Sequence, residues 1–167
     1  MRKRLSAVLS TVLLLAGCMA GLSSSRPAVR AEDRTVYVMR HLHKGDGSDP
    51  ALSATGAAAA ERLAGRLAGK GITAIFATST RRAMETAAPL AQRTGLQITP
   101  YDPGDPAALV AAAASRPGAV LVVGHSNTVH DLASRFGART PPAPLADNDY
   151  GRVFIVKPSG EVDVFDL

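Results

Sequence analysis

Thr35-Val36-Tyr37-Val38-Met39-Arg40-His41 is an apolar, β-branched run that ends on a basic pair. Five consecutive residues with no polar alternation suit a strand covered on both faces, as strands of a parallel sheet are. Ala119-Val120-Leu121-Val122-Val123 repeats the pattern in its most hydrophobic form and also runs into a histidine, through Gly124-His125. Two buried strands ending in histidine, far apart in sequence, are the frame on which the other segments are placed.

Working outward, Gly45-Asp46-Gly47-Ser48-Asp49-Pro50 is a loop, and Ser53 is the cap of an Ala-rich helix to about Lys70, stopped by Gly71. Thr73–Ala77 is a second buried strand. A helix over about Arg81 to Thr94 ends at Gly95, and Leu96 to Tyr101 is a short strand. Pro106 opens a third helix through Ser115, and a fourth covers about Thr128 to Phe136. Arg152–Val156 and Val162–Phe165, joined by the turn Lys157-Pro158-Ser159-Gly160, close the chain as an antiparallel hairpin. This alternation predicts one α/β domain, a three-layer sandwich whose mostly parallel central sheet is flanked by helices.

The chain has 167 residues, enough for one domain rather than two. Met1 to Cys18, with a basic start, an apolar run from Val8 to Leu15 and small residues before a cysteine, is laid out as a secretory signal. The run is shorter than the roughly 20 apolar residues that span a bilayer. Leu15-Ala16-Gly17-Cys18 resembles the bacterial lipobox, which implies lipidation of Cys18 and an envelope-anchored lipoprotein. An ordinary leader cleaved further on, near Arg30-Ala31-Glu32, is the alternative, and both readings export the protein. Residues 1–18 are therefore expected to be the signal, 19–33 a flexible tether and 34–167 the folded domain. Cys18 is the single cysteine, so neither an internal disulfide nor a catalytic thiol in the domain is available. The net charge of +5 draws on Arg2, Lys3, Arg4, Arg26 and Arg30 ahead of the domain. The remaining basic residues are scattered without interleaved aromatics, which argues against nucleic acid as a partner.

Ligands of open α/β sheets bind beyond the carboxyl ends of the strands, where His41 and His125 would meet. The residues there resemble a known family. Val38-Met39-Arg40-His41-Leu42-His43-Lys44 is similar to the Arg-His signature of the histidine phosphatase superfamily, also called phosphoglycerate mutase-like. Leu52-Ser53-Ala54-Thr55-Gly56 is similar to its Leu-Ser-x-x-Gly, and Thr78-Ser79-Thr80-Arg81-Arg82-Ala83-Met84-Glu85-Thr86-Ala87 to its Ser-Pro-x-x-Arg-Ala-x-x-Thr-Ala. Val122-Val123-Gly124-His125-Ser126-Asn127 is similar to the segment bearing its second histidine. Four elements in family order are far more specific than one Arg-His pair.

The resemblance implies a phosphomonoesterase that needs no cofactor. His41 as neutral imidazole would attack phosphorus and form a phosphohistidine that water hydrolyses. Arg40 and Arg82 would clamp the phosphate oxygens, His125 would add hydrogen bonds to the transferring group, and Asn127 would either donate to phosphate or cap the next helix. Family spacing selects Arg82, with Arg81 left as a helix-surface charge. Two departures stand out: His43 replaces the usual acidic residue two places past the nucleophile, and Ser79 replaces the usual proline. The general acid is missing from its customary inserted segment; Asp102 is the candidate that remains, with a plain turn residue in Tyr101-Asp102-Pro103-Gly104 as the alternative.

Other functions fit parts of the same pattern. His41-x-His43 with His125 and Asp46 or Asp131 could form a metal site, but metal hydrolase patterns do not place arginine beside the histidine. An exported module that only binds a phosphorylated or anionic ligand would have no use for an in-line nucleophile, and a mutase is disfavoured by export and by the short insert-poor chain. His130 is expected on its helix surface or as a helix-end polar contact, without a role. Lys44 and Asp46 would line the pocket mouth or solvate the loop, and Asp147-Asn148-Asp149-Tyr150, directly before a strand, is a surface loop by default whose pocket side could reach substrate. The expected substrate is a phosphorylated small molecule or phosphoprotein met outside the cytoplasm.

Overall fold

The structure is a computed structural model that describes residues 34–167. The expected signal over residues 1–18 with Cys18, and the expected tether over 19–33, fall on residues outside those described. Ten elements follow in order: β1 (Val36–Arg40), α1 (Ala54–Leu67), β2 (Ile72–Thr78), α2 (Arg81–Thr94), β3 (Ile98–Tyr101), α3 (Pro106–Ala114), β4 (Ala119–Gly124), α4 (Val129–Arg135), β5 (Arg152–Val156) and β6 (Val162–Asp166). The six strands form one sheet in the order β3-β2-β4-β1-β5-β6. Neighbours from β3 through β1 are parallel, while β5 and β6 join antiparallel. This is the expected mostly parallel sheet with a closing hairpin.

Strand pleating sends successive side chains to opposite faces. Tyr37, Met39, Ile75, Ala77, Leu121 and Val123 meet Ala60, Leu63, Leu67, Ala83, Ala87 and Leu90 of α1 and α2. Val36, Val38, Phe76, Val120 and Val122 meet Leu109 and Ala113 of α3 and Val129, Leu132 and Ala133 of α4. Two helices therefore cover each face, giving three layers, and β1 and β4 are buried along their whole length. Small side chains on α1 let it pack closely on α2, which is why an alanine-rich chain with few large rings still builds a dry core.

Local chemistry sets the element ends. Ser53 Oγ accepts from Gly56 N at 3.2 Å and caps α1. Asp105 Oδ1 does the same for Ala108 N at 3.0 Å and starts α3 ahead of Pro106. Gly95, at φ 70°, takes the left-handed turn that ends α2. The first helix stops at Leu67 rather than Lys70, because Lys70 N turns back to Leu67 O and the chain reaches Gly71 through a tight turn. The third strand begins at Ile98, two residues later than the apolar pattern suggests. No helix among the described residues is long and apolar enough to cross a membrane.

Candidate active site

Register alone brings the two histidines together. Arg40 of β1 is paired with Gly124 of the parallel strand β4, so the next residue of each, His41 and His125, leaves the sheet at the same height. His41 N donates to Gly124 O at 2.9 Å, and the two imidazole centroids lie 5.4 Å apart, nearly edge to face. On the other side of β4, Ala77 of β2 is paired with Val123. Thr78 therefore emerges beside His125, with 2.9 Å between Thr78 Oγ1 and His125 Nε2. Tyr101, paired with Thr78, ends β3 in the same row.

His41 is almost wholly buried, at 3% exposure. Its Nδ1 lies 2.9 Å from Leu42 O. A carbonyl can only accept, so Nδ1 carries the proton and the lone pair is directed to Nε2. Burial pushes the His41 pKa down to about 4; the Leu42 carbonyl opposes this, and Arg82, His125 and Arg40 push it further down. His125 is lowered too, first by burial and then by Arg82 and Arg40. Both rings are neutral at neutral pH, the state a nitrogen nucleophile needs.

The second helix holds this arrangement from below. Thr86 Oγ1 accepts from Leu42 N at 3.0 Å and donates to Arg82 O at 2.8 Å, which fixes the backbone just past His41. Glu85 accepts from Leu52 N at 2.7 Å and Asp49 Oδ1 from Arg81 N at 3.0 Å, so the loop between β1 and α1 is moored to the first turns of α2 at three places. That Leu52 contact, with Arg81 behind it, holds the Glu85 carboxyl below its usual range. Gly56 closes the other side: a Cβ there would collide with the His43 carbonyl, so only glycine lets α1 approach the loop this closely.

Arg82 lies inward with 19% of its side chain exposed, and its Nη1 is 3.6 Å from Asp49 Oδ1. Arg81, 62% exposed, pairs with Glu85 on the helix surface at 2.8 Å. An open cleft of about 670 Å³ is lined by Thr78, Arg82 and His125, by Ser48 and Asp49 from the loop after β1, and by Pro100 to Pro103 at the end of β3. Arg40 is 7% exposed; its Nη1 donates to the carbonyls of Ala146, Asp147 and Asp149 at 3.0, 2.9 and 3.3 Å, and Nη2 to Tyr150 Oη at 3.2 Å. The Tyr150 ring lies under the Arg40 guanidinium at 4.0 Å, stacks on His43 at 4.3 Å and approaches His41 at 5.9 Å. The Nε atoms of both Arg40 and Arg82 are buried without a protein partner.

Of the residues singled out in the sequence, Arg40, His41, Arg82 and His125 converge. Asp102 also lines the cleft, but its Oδ1 accepts from Gly104 N at 2.8 Å, the contact of a turn residue. Asn127 is exposed and lies outside the cleft lining. His130 is half-buried rather than on the surface, with Nδ1 enclosed and unpartnered. Thr78, Thr86 and Asp49 carry no role in the sequence reading, although Thr78 and Thr86 stand inside the Thr78–Ala87 motif; Tyr150 belongs to the segment expected to reach substrate, and here it contacts Arg40 instead. Among the described residues no group of three or more His, Cys, Asp or Glu side chains is placed to hold a metal ion.

His41 and Arg40 lie behind the cleft lining, and His125 and Arg82 form part of it; a neutral imidazole close to two guanidinium groups at the end of a parallel sheet is a layout suited to accepting a phosphoryl group. Comparison with known proteins points the same way. Residues 36–103 match the model of the histidine phosphatase superfamily (branch 1), a span that includes Arg40, His41, Thr78 and Arg82. No curated protein matches the chain. Among solved structures, the candidate phosphohistidine phosphatase SixA of Agrobacterium tumefaciens is 20% identical, with a TM-score of 0.59 over 80% of this chain and 97% of that one. A protein histidine phosphatase SixA complexed with tungstate is 20% identical, with a TM-score of 0.57 over 78% and 94%. A mycobacterial glucosyl-3-phosphoglycerate phosphatase is 18% identical, with a TM-score of 0.54 over 80% and 97%. At such identities the shared property is the fold.

Proposed function

We infer from the family match, the fold and the four ordered motifs that this chain belongs to the histidine phosphatase superfamily, and on that premise we propose that it is a phosphomonoesterase working through a phosphohistidine on His41. The observation that carries the reading is the fixed tautomer of His41. Leu42 O accepts the hydrogen bond from Nδ1–H, which leaves the lone pair on Nε2.

In this reading Nε2 attacks phosphorus as the ester P–O bond breaks, and the departing oxygen takes a proton. Water then attacks the phosphohistidine, the P–N bond breaks, and His41 returns to neutral imidazole with release of phosphate. Arg82 and Arg40 supply fixed positive charge for the equatorial oxygens. His125, oriented by Thr78 at 2.9 Å, completes the cradle. Asp102 is the group in the cleft assigned to protonate poor leaving groups; good leaving groups need no such help. The substrate class follows from the open, shallow cleft: a phosphorylated small molecule or an exposed phosphorylated side chain.

The lipobox-like segment Leu15-Ala16-Gly17-Cys18 is the ground for proposing export and a lipid anchor on the envelope. Metabolic labelling with a fatty acid, lost in Cys18→Ser, is the expected result; an unlabelled, exported chain would leave a simple signal peptide. For the activity, phosphate release from an aryl phosphate should survive chelator, be blocked by vanadate and vanish in His41→Asn. Release abolished by chelator, or retained in His41→Asn, would remove the phosphohistidine mechanism.

A further inference from the structure

Arg40 is held in a way that its role as a phosphate clamp does not by itself require. A guanidinium has five N–H donors in a rigid fork. Here the Nη1 end is taken by three carbonyls of one short loop, those of Ala146, Asp147 and Asp149. Nη2 gives one hydrogen to Tyr150 Oη, and the Arg40 guanidinium carbon lies over the Tyr150 ring, 4.0 Å from its centroid. What remains is the edge made by Nε–H and the second Nη2 hydrogen, two parallel donors of the kind that bind an oxyanion bidentately. Nε on that edge is buried and has no protein partner, in a side chain 7% exposed. A buried, unpartnered donor is costly unless a ligand satisfies it.

The loop that performs this is itself locked. Asp149 Oδ2 accepts from Ala146 N at 3.0 Å and Asp149 N donates to Ala146 O at 3.1 Å, closing a turn that points its carbonyls at Arg40. Behind it, Gly151 O accepts from Leu167 N at 3.1 Å, tying the loop to the end of the chain.

We propose that Tyr150 and the turn Ala146–Asp149 form a strap that positions Arg40, occupying its Nη1 end so that the Nε edge is presented to the phosphate of the substrate. Tyr150 is thus a positioning residue, acting through Arg40. The strap rests on the phosphatase reading for its biological meaning, but its physical content is anion affinity, which is measurable without turnover.

The test compares Tyr150→Phe, Tyr150→Ala, Asp149→Ala and Asp149→Asn in the full chain. KM and kcat are read with an aryl phosphate, and affinity for orthovanadate and inorganic phosphate is read by calorimetry. Tyr150→Ala, losing both stack and hydroxyl, should raise KM and the vanadate dissociation constant together by roughly tenfold, the loss of one charge-assisted contact. Tyr150→Phe keeps the stack and should weaken both by about two- to fourfold. Asp149→Ala should also weaken vanadate binding, and Asp149→Asn, which can still accept from Ala146 N, should restore it. A purely structural role predicts a lowered melting temperature with unchanged KM and vanadate affinity in the folded fraction, and that result overturns the proposal. If the parent chain releases no phosphate but binds the anions, and Tyr150→Ala loses that binding, the phosphatase reading fails while the strap stands. A parent chain that neither hydrolyses nor binds overturns both.

Discussion

His41→Asn should remove activity and, at the same time, make the protein more resistant to acid. The argument runs through the protons bound by the folded and unfolded chains. In the unfolded chain His41 titrates at the ordinary histidine value of about 6.5; in the folded one burial and the neighbouring cations hold it down to about 4. Above pH 6.5 both states carry neutral imidazole and the shift contributes nothing. As pH falls through 6.5, the unfolded chain takes up a proton that the folded one refuses, and stability is lost until His41 also protonates near pH 4. At pH 5 the loss is about 2 kcal/mol, somewhat over half of the roughly 3.4 kcal/mol reached at lower pH. For a domain of this size that corresponds to a drop of about 6–10 °C in melting temperature between pH 8 and pH 5. Asn at this position cannot be protonated, so its own drop should be smaller by that amount, whatever the cost of the altered packing at either pH. Thermal unfolding of the two proteins at the two pH values measures this double difference. Equal drops in both would show that His41 titrates normally and would refute the account of a neutral, buried nucleophile.

Three further outcomes follow from other contacts. Thr78→Val removes the partner of His125 Nε2 and should lower kcat/KM by about tenfold with little change in melting temperature, while Thr78→Ser should recover most of it; an unaffected kcat/KM would detach Thr78 from the cradle. Gly56→Ala drives a Cβ into the His43 carbonyl and should destabilise the fold by about 2 kcal/mol, seen as a lowered urea midpoint; an unchanged midpoint would show that the contact between α1 and the loop is not tight. Asp102→Asn should slow alkyl phosphates by about tenfold or more and leave aryl phosphates nearly unchanged; equal effects on both would assign Asp102 to its turn at Gly104 instead.

The parts of this molecule that were legible in the sequence are those set by local pattern. The unbroken apolar runs of β1 and β4 identified buried strands, Ser53, Pro106 and Gly95 marked helix ends, and the Lys157–Gly160 turn gave the closing hairpin. Because both histidines follow such strands directly, their convergence was readable once the sheet was taken as parallel. Strand order was not, since nothing in a single strand says which neighbour it will choose. Nor were the contacts made by loops: Asp49 reaching Arg81 and Arg82, and Tyr150 reaching Arg40 across more than a hundred residues, depend on how surface segments fold back over the strand ends. The half-burial of His130 was not legible either, because it depends on what packs around α4.

The central claim is that phosphate passes through His41. Rapid acid-free quenching of turnover, followed by peptide mapping, reads this directly: the phosphoryl group should appear on the peptide carrying His41, stable to base and labile to acid, and should be absent from His41→Asn. Turnover without a phosphoenzyme, or label found on a serine, threonine or aspartate, would contradict the account.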